Sequence, residues 1–349
     1  MEGWIPTKRL KKVVEFSDKF CGNVEPIHRY LYLYFDKFLK VSITDGCAVA
    51  DIFFSKEFFP FKKVYKISIQ HLKGLLKGFD EKKSPVVRML ALDEGLKMDL
   101  ENMSLNVKAE NEEKPSFNLK NPILISKIQL KKFLNNLDFC SITSMEGDLV
   151  NIFTNDKKEL WGWFHGYNMG VYTCFGKSEV TISRSIPYVT VRHIIKSLSL
   201  ISDEEISLYL NESDILIKGK GMNINLCSSI DPVRIKVNFD KEFLEYQKIN
   251  LKELKRILNK IYTSLPSNTR IYLIFGKESY ILAEDKNTTI TWKIDLKFKY
   301  KYLIEINPRK LRSVFSRINE NVIIKLNNKK VLFQDNQNYL EIGIKEFSK

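Results

Sequence analysis

Residues 304–347 read IEINPRKLRSVFSRINENVIIKLNNKKVLFQDNQNYLEIGIKEF, and their pattern decides the fold. Asn307-Pro308 is a helix-start pair: the Asn side chain can accept from the free N–H groups of a first turn, and Pro fits where no N–H is needed. Leu311, Val314, Phe315 and Ile318 follow at i, i+3, i+4 and i+7, which places four apolar side chains on one helix face. Arg309, Arg312, Ser313 and Ser316 fall on the opposite face, which is positive. Residues 322–326 are then an apolar run, Asn327-Asn328 a turn signal, and 331–333 and 339–344 further strands. The unit is strand, short basic helix, more strands.

The same template, a polar cap with apolar residues at +4, +7, +8 and +11, recovers five more helices without any reference to charge. Pro6-Thr7 opens the first, with Leu10, Val13 and Val14 in place and Ser17 in the fourth apolar position. Ser68 opens the second (Leu72, Leu75, Leu76, Phe79) and Ser126 the third (Leu130, Phe133, Leu134, Leu137). Thr190 opens the fourth, with Ile194, Leu198 and Ile201 and Ser197 as its one miss; Asn250 opens the fifth (Leu254, Ile257, Leu258, Ile261). The first apolar residue therefore recurs at 10, 72, 130, 194, 254 and 311, a spacing of about sixty residues, the signature of one supersecondary unit used repeatedly. Between the helices, residues 30–43, 86–92, 96–100, 205–210, 215–218 and 270–275 read as strands, divided by turn signals such as Thr44-Asp45-Gly46, Asp93-Glu94-Gly95 and Asn211-Glu212-Ser213. Charged, Pro-containing stretches at 110–115 and 228–236 read as linkers after the second and fourth units. The simplest organisation is α+β with three domains of two repeats each, 1–117, 118–235 and 236–349, the helices covering antiparallel sheet.

The chain carries a formal charge of +14, and its location is more informative than its size. Thirteen-residue windows opened at the six caps hold 19 of the 56 Lys and Arg but only five of the 42 Asp and Glu, which leaves 37 of each elsewhere. The whole surplus thus belongs to six helices. On a helical wheel Lys8, Lys11, Lys12, Lys73, Lys77, Lys131, Lys132, Arg192, Lys196, Lys252, Lys255, Arg256, Arg309 and Arg312 lie opposite the apolar stripes. Ordinary solvated helices also expose Lys, but they mix in Glu for i, i+4 pairing, and here acids are nearly missing. A basic helical surface without aromatic stacking residues suits duplex DNA held through its phosphates, with salt-dependent affinity and no base readout.

Three doubled helix-and-sheet units with basic helices resemble the bacterial β sliding clamp, the beta subunit of DNA polymerase III. The stretches that carry the resemblance are 5–14, 26–46, 189–221 (VTVRHIIKSLSLISDEEISLYLNESDILIKGKG), 250–274 and 302–344, so it covers essentially the whole chain. It implies a head-to-tail homodimer ring around double-stranded DNA, a processivity factor for a replicative polymerase with no catalysis of its own. It also implies an apolar cleft in which short peptides of polymerase, clamp loader and repair proteins dock. Leu340, Ile342, Ile344 and Met169 fall at the matching cleft positions, and Leu105 and the turn at Ser264-Leu265 at the subunit boundary. The chain departs from the family where Ile342-Gly343-Ile344-Lys345-Glu346-Phe347 replaces a closing Met-Pro-Met-Arg-Leu, and again at His165-Gly166-Tyr167-Asn168-Met169-Gly170. A clamp-fold paralogue or mobile-element version with altered partners, possible as a monomer, is the alternative reading. A DNA-modifying enzyme with a basic groove is the remote one.

Nothing in the sequence supplies that enzyme's chemistry. His28, His71, His165 and His193 show no metal-ligand spacing, and phosphate-cradling GxxxxGKS and nucleophile GxSxG patterns are absent. Asp203-Glu204-Glu205 reads as an acidic turn at a helix end, and Gly219-Lys220-Gly221 as a turn. No cofactor, catalytic residue or metal site is expected. Trp161 and Trp163 alternate as strand residues do, either as core or as a partner surface. Five cysteines without a close pair suggest neither a metal site nor a disulfide framework and favour a reducing, cytoplasmic compartment. No apolar run is long enough for a bilayer span, so no membrane partner is expected.

Overall fold

The computed structural model describes residues 1–22, 29–54, 57–78, 82–109, 113–166, 168–201, 204–230, 243–266, 269–284 and 286–344. Within them the chain is α+β, with six helices and antiparallel sheets, and it repeats one order of elements six times. Repeat one is β1 (Glu2–Pro6), α1 (Thr7–Cys21), β2 (Tyr30–Asp36), β3 (Phe38–Thr44) and β4 (Ala48–Phe54). Repeat two is β5 (Tyr65–Ser68), α2 (Ile69–Leu76), β6 (Val86–Ala91), β7 (Gly95–Leu100) and β8 (Met103–Lys108). Repeat three is β9 (Ile123–Gln129), α3 (Leu130–Ser141), β10 (Leu149–Thr154), β11 (Glu159–Gly166) and β12 (Met169–Lys177). Repeat four is β13 (Ser183–Pro187), α4 (Tyr188–Leu198), β14 (Glu205–Asn211), β15 (Asp214–Gly219) and β16 (Met222–Leu226), with a two-residue β17 (Ser229–Ile230) after it. Repeat five is β18 (Glu245–Asn250), α5 (Lys252–Ser264), β19 (Arg270–Phe275), β20 (Ser279–Glu284) and β21 (Thr289–Ile294). Repeat six is β22 (Tyr302–Ile306), α6 (Pro308–Phe315), β23 (Asn321–Leu326), β24 (Lys330–Gln334) and β25 (Asn338–Gly343).

Helix placement follows the apolar period. Leu10, Leu72, Leu130, Ile194, Leu254 and Leu311, the first apolar residue of each repeat, are all buried. The two serines that interrupt the pattern are buried as well. Ser17 donates its hydroxyl to the Val13 carbonyl and Ser197 to that of Ile194, so each satisfies its polar atom within its own helix. Asn307 caps α6 by accepting from the Lys310 amide at 3.1 Å, with Pro308 opening the first turn, and Ser68 accepts from the His71 amide at 3.4 Å. Ser126 does not cap. It lies within β9 and donates to the Lys177 carbonyl, and α3 starts four residues later, because alternation through Ile128 carries the strand to Gln129. The single strand expected over 30–43 is a hairpin, β2 and β3, reversed at Lys37 with φ of 55°. Phe79, His28, Tyr167, Asp203, Lys345, Glu346, Phe347 and parts of both expected linkers (110–112 and 231–236) lie outside the described residues.

The leading strand of a repeat does not pair with its own three-stranded meander. It joins the meander of a neighbouring repeat: β5 borders β2, β1 borders β6, β9 borders β14, β22 borders β19 and β18 borders β23. Sequence period and sheet membership are thus offset by one element, which locks adjacent repeats together.

By compactness the chain forms two units, one of Met1–Leu134, Lys177–Val180 and Arg184–Ile230, the other of Asn135–Gly176, Thr181–Ser183 and Asp231–Lys349. The first contains the eight-stranded sheet β5-β2-β3-β4-β16-β15-β14-β9 and the four-stranded sheet β1-β6-β7-β8. The second contains the run β10-β11-β12-β25-β24-β23-β18 and the four-stranded sheet β21-β20-β19-β22. Its core joins the apolar faces of α5 and α6 to the sheets through Leu254, Leu258, Leu311, Phe315, Phe333 and Leu340.

One expectation from the cysteines is overturned. Cys47 and Cys227 are joined as a disulfide with Cα atoms 5.4 Å apart. They were distant in sequence, but β4 and β16 are antiparallel neighbours and carry them to the same end of the ladder. Cys21, Cys140 and Cys174 are not part of a disulfide.

Candidate nucleic-acid interface

In the first unit α1 packs against both α2 and α4. The apolar stripe of α1, Leu10, Val13, Val14, Phe16 and Phe20, is turned inward, and so are Leu72, Leu75 and Leu76 of α2 and Val191, Ile194 and Leu198 of α4. The wheel then leaves Lys8 and Lys12 exposed on α1, Lys73 on α2, Lys77 at its C-terminal cap, Lys131 at the start of α3 and Lys196 on α4, with Lys11, Lys132 and Arg192 half-buried. Lys8, Lys11, Lys12, Lys77, Lys131, Lys132 and Lys196 have no ion-pair partner among the described residues. Lys73 differs. It pairs with Asp18 at 2.9 Å, and the same carboxylate accepts from Arg29 at 3.0 Å, so one of the few helix acids is spent inside the surface.

In the second unit α5 and α6 pack together and present Lys252, Arg256, Arg309 and Arg312 as exposed residues, with Lys255 half-buried. Several cations here are tied down. Lys255 donates to the Ile318 carbonyl at 2.9 Å and Arg312 donates through Nε to Asn259. The Arg312 guanidinium also lies 4.6 Å from the ring centre of Tyr262, which is 42% exposed. The expectation of a face without aromatic residues therefore has an exception on α5, visible in the sequence only as a tyrosine at the helix end. Exposed Lys19, Lys260 and Arg317 extend the basic faces beyond the expected set; all three lie on or just past a helix, but at positions that the wheel selection did not include. Arg317 pairs with Asp138. Lys310, between two expected arginines, points inward, donates to the Thr143 carbonyl at 3.0 Å, and has its ammonium pKa lowered by burial.

Of the residues expected to line a peptide cleft, Met169 and Ile342 are brought together as register partners of β12 and β25, while Leu340 pairs with Val171. Leu340 and Ile342 are 0% exposed and Met169 2%, all within the core of the second unit; Ile344 alone keeps some surface. Asn168, at φ 68°, stitches its turn to β25: its side chain donates to the Gly343 carbonyl and its carbonyl accepts from the Gly343 amide. A Cβ at Gly343 would meet the Asn168 side chain, so a larger residue there, as the resemblance expects, would displace that side chain from its bond to the Gly343 carbonyl. On the other face of this sheet Trp161 is buried against Tyr339, and half-buried Trp163 stacks on Tyr172 at 6.1 Å. Both tryptophans thus belong to a small aromatic core. A cavity of about 500 Å³ in the second unit lies among Asn135, Asp138, Arg317, Asn319, Asp335 and Gln337, a polar set that the sequence had not singled out.

Leu105 is half-buried on β8, the terminal strand of its sheet, and Leu265 is half-buried at the C-terminal cap of α5. β8 and, in the second unit, β21 are both edge strands with exposed apolar residues, Met103 and Ile290. Such edges offer unpaired N–H and C=O groups to another chain.

Among the described residues no group of three or more His, Cys, Asp or Glu is arranged to hold a metal ion. His71 is exposed on α2 and His165 on β11. His193 is buried and bonds to Asp45 at 2.9 Å, which keeps it from any exposed phosphate. Glu204 and Glu205 are exposed, and the Glu204 carbonyl accepts from the Leu130 amide. Among the described residues no helix is long and apolar enough to cross a membrane.

No family model and no curated protein matches the chain. Solved structures do. A DNA polymerase III beta subunit from Eubacterium rectale superimposes with a TM-score of 0.83 at 11% identity over 100% of both chains. The DNA polymerase III subunit beta of Borrelia burgdorferi gives 0.82 at 13% identity, again over 100% of both chains. The Helicobacter pylori beta clamp bound to a DNA ligase peptide gives 0.76 at 14% over 99% of this chain and 100% of the other. The six-repeat architecture is therefore the fold of the DNA polymerase III β sliding clamp.

Proposed function

We propose that this protein is a DNA sliding clamp: a ring of two head-to-tail copies, each of three domains divided near residues 117 and 235, that encircles duplex DNA and catalyses nothing itself. The observation that carries the reading is the concentration of the net charge on six helices of a clamp fold, with most of those lysines free of ion pairs among the described residues. Free cations on rigid helices attract the evenly spaced phosphates of a duplex without fixing a register, which favours sliding. The edge strands β8 and β21, with Leu105 and Leu265 nearby, are the surfaces for closing the ring, since pairing them removes two exposed edges. A polymerase and replication or repair proteins would dock through short peptides in the region of Met169 and Ile344.

The deciding experiment compares retention on circular and linearised duplex after loading. Loss from linear ends with retention on circles is expected; equal loss from both overturns encirclement. Sedimentation at micromolar concentration tests the ring, with a single species near the 40.9 kDa chain mass counting against it. One observation favours a second reading, a clamp-fold protein with changed partners. Leu340, Ile342 and Met169 are wholly inside the core, and Asn168 is fastened to Gly343 where a peptide would lie.

A further inference from the structure

Cys47 immediately precedes β4, and Cys227 immediately follows β16. The ladder between these strands ends at Ala48 opposite Leu226, so the cysteines form its next rung. The Cys227 amide donates to the Cys47 carbonyl at 3.2 Å, which continues the strand pairing beneath the sulfur bridge. This rung stands where the eight-stranded sheet passes from the meander of repeat one to that of repeat four. Asp45, two residues before Cys47, accepts from the Cys47 and Ala48 amides and from the His193 ring on α4, so the turn that carries Cys47 is held independently of the sulfurs.

Both bridge cysteines are half-buried, whereas Cys21 and Cys140 are buried. Burial, with Asp45 nearby, pushes the Cys21 thiol up to about 12, and burial raises Cys140 as well, so neither supplies thiolate for exchange at neutral pH. The rung joins accessibility to a partner cysteine already in place.

We propose that Cys47 and Cys227 are a site of reversible oxidation, a staple whose state is set by exchange with a dithiol of small-molecule or protein origin. A thiolate of the dithiol attacks one bridge sulfur, the bond between the cysteines breaks, and the other sulfur leaves as a thiolate that takes a proton. The second thiolate of the dithiol then attacks the mixed disulfide and releases the other cysteine. Two electrons and two protons pass to the protein, and the dithiol becomes a disulfide. Because the bridge spans a sequence separation of 180, it restricts the unfolded chain strongly while the rung's hydrogen bond holds the folded geometry in either state. The staple stands whether or not the protein encircles DNA.

The test equilibrates the full chain with dithiothreitol at graded ratios of reduced to oxidised form, then alkylates it under denaturing conditions and maps it by mass spectrometry. Oxidised protein should give one cross-linked peptide pair, 47 with 227, and three alkylated cysteines; reduced protein should give five, with the same transition in both directions. Reduction should lower the melting temperature by about 4–8 °C, and the double variant Cys47→Ser with Cys227→Ser should melt at the reduced value and ignore dithiothreitol. Cys47→Ala with Cys227→Val should behave likewise, which separates loss of the bridge from poor tolerance of serine. Five alkylated cysteines in fully oxidised buffer, a bridge to another cysteine, failure to reoxidise, or an equal shift on reduction in both double variants would each overturn the proposal.

Discussion

The helices of the first unit and those of the second carry the same sign of charge in different ways. On α1, α3 and α4 the exposed cations are lysines without ion pairs among the described residues, such as Lys8, Lys12, Lys131 and Lys196. On α5 and α6 Arg312 is held by Asn259 and Tyr262, Lys255 by the Ile318 carbonyl and Lys310 by that of Thr143. A free lysine follows a phosphate that moves past it but loses rotamer freedom on contact; a fixed guanidinium has less to lose but offers one geometry. The comparison teaches that one sign of charge describes two surfaces, the first mostly of adaptable lysines, the second a mixture in which preorganised cations stand among exposed Lys252, Arg256 and Arg309.

The support beneath these surfaces differs too, and substitutions there should have the largest effects. Helix α6 has eight residues and rests on Leu311, Val314 and Phe315, whereas fifteen-residue α1 has eight buried positions. Leu311→Ala should cost about 3–4 kcal/mol, and Leu10→Ala less, about 2–3 kcal/mol, because the longer helix has more anchors to share the cavity. Urea unfolding of the two variants measures this, and the reverse order would break the contrast.

Removing charge comes next. Replacing Lys255, Arg256, Arg309 and Arg312 together with Ala should reduce the slope of log affinity for duplex DNA against log salt by about 3–4, and Lys8, Lys12, Lys131 and Lys196 together should do the same. Only the first set should also lower the melting temperature, by a few degrees, since it removes contacts that hold α5 to α6. If neither set changes the slope, both faces are merely solvated.

The first unit also holds an interior carboxylate, Asp45, hydrogen-bonded to the His193 ring, which sharpens the contrast at acid pH. Burial by itself would raise the Asp45 carboxyl, but hydrogen bonds from His193 and from the Ala48 and Cys47 amides outweigh it and hold it below the usual carboxylate range. A carboxylate depressed in the folded state contributes stability above its unfolded pKa near 4 and loses it as pH falls through the folded value. Asp45→Asn should therefore melt below the parent at pH 7, with the gap narrowing toward pH 3. A constant gap would mean that the Asp45 charge contributes nothing.

Much of the architecture was legible because helix burial repeats at a regular spacing. Leu72 and Leu311 announce their helices by position alone, and the basic faces follow as their complement. Strand exchange was not legible, since β5 pairs with β2 through backbone groups that every residue possesses. Ser126 misled because a polar residue four places before a leucine suits a strand as well as a cap. The 47–227 bridge and the Asp18, Arg29 and Lys73 cluster depend on distant segments meeting, which no local pattern encodes. Leu340 and Ile342, expected to line a cleft, were found as apolar positions, but alternation assigns a face without saying whether that face is covered.

The smallest effect gives the finest test of the contrast between adaptable and preorganised charge. Arg312→Lys keeps the charge but cannot donate to Asn259 and lie flat on Tyr262 together, so DNA affinity should fall about two- to fivefold, the size of one exposed cation–π contact, with an unchanged salt slope. Lys12→Arg on the free face should leave affinity as it was. Tyr262→Ala should match Arg312→Lys, and the double variant should lose no more than either alone, because both changes release the same guanidinium. Additive losses would mean that Tyr262 touches DNA itself, which would make the second unit's face a stacking surface and not a fixed array of charge.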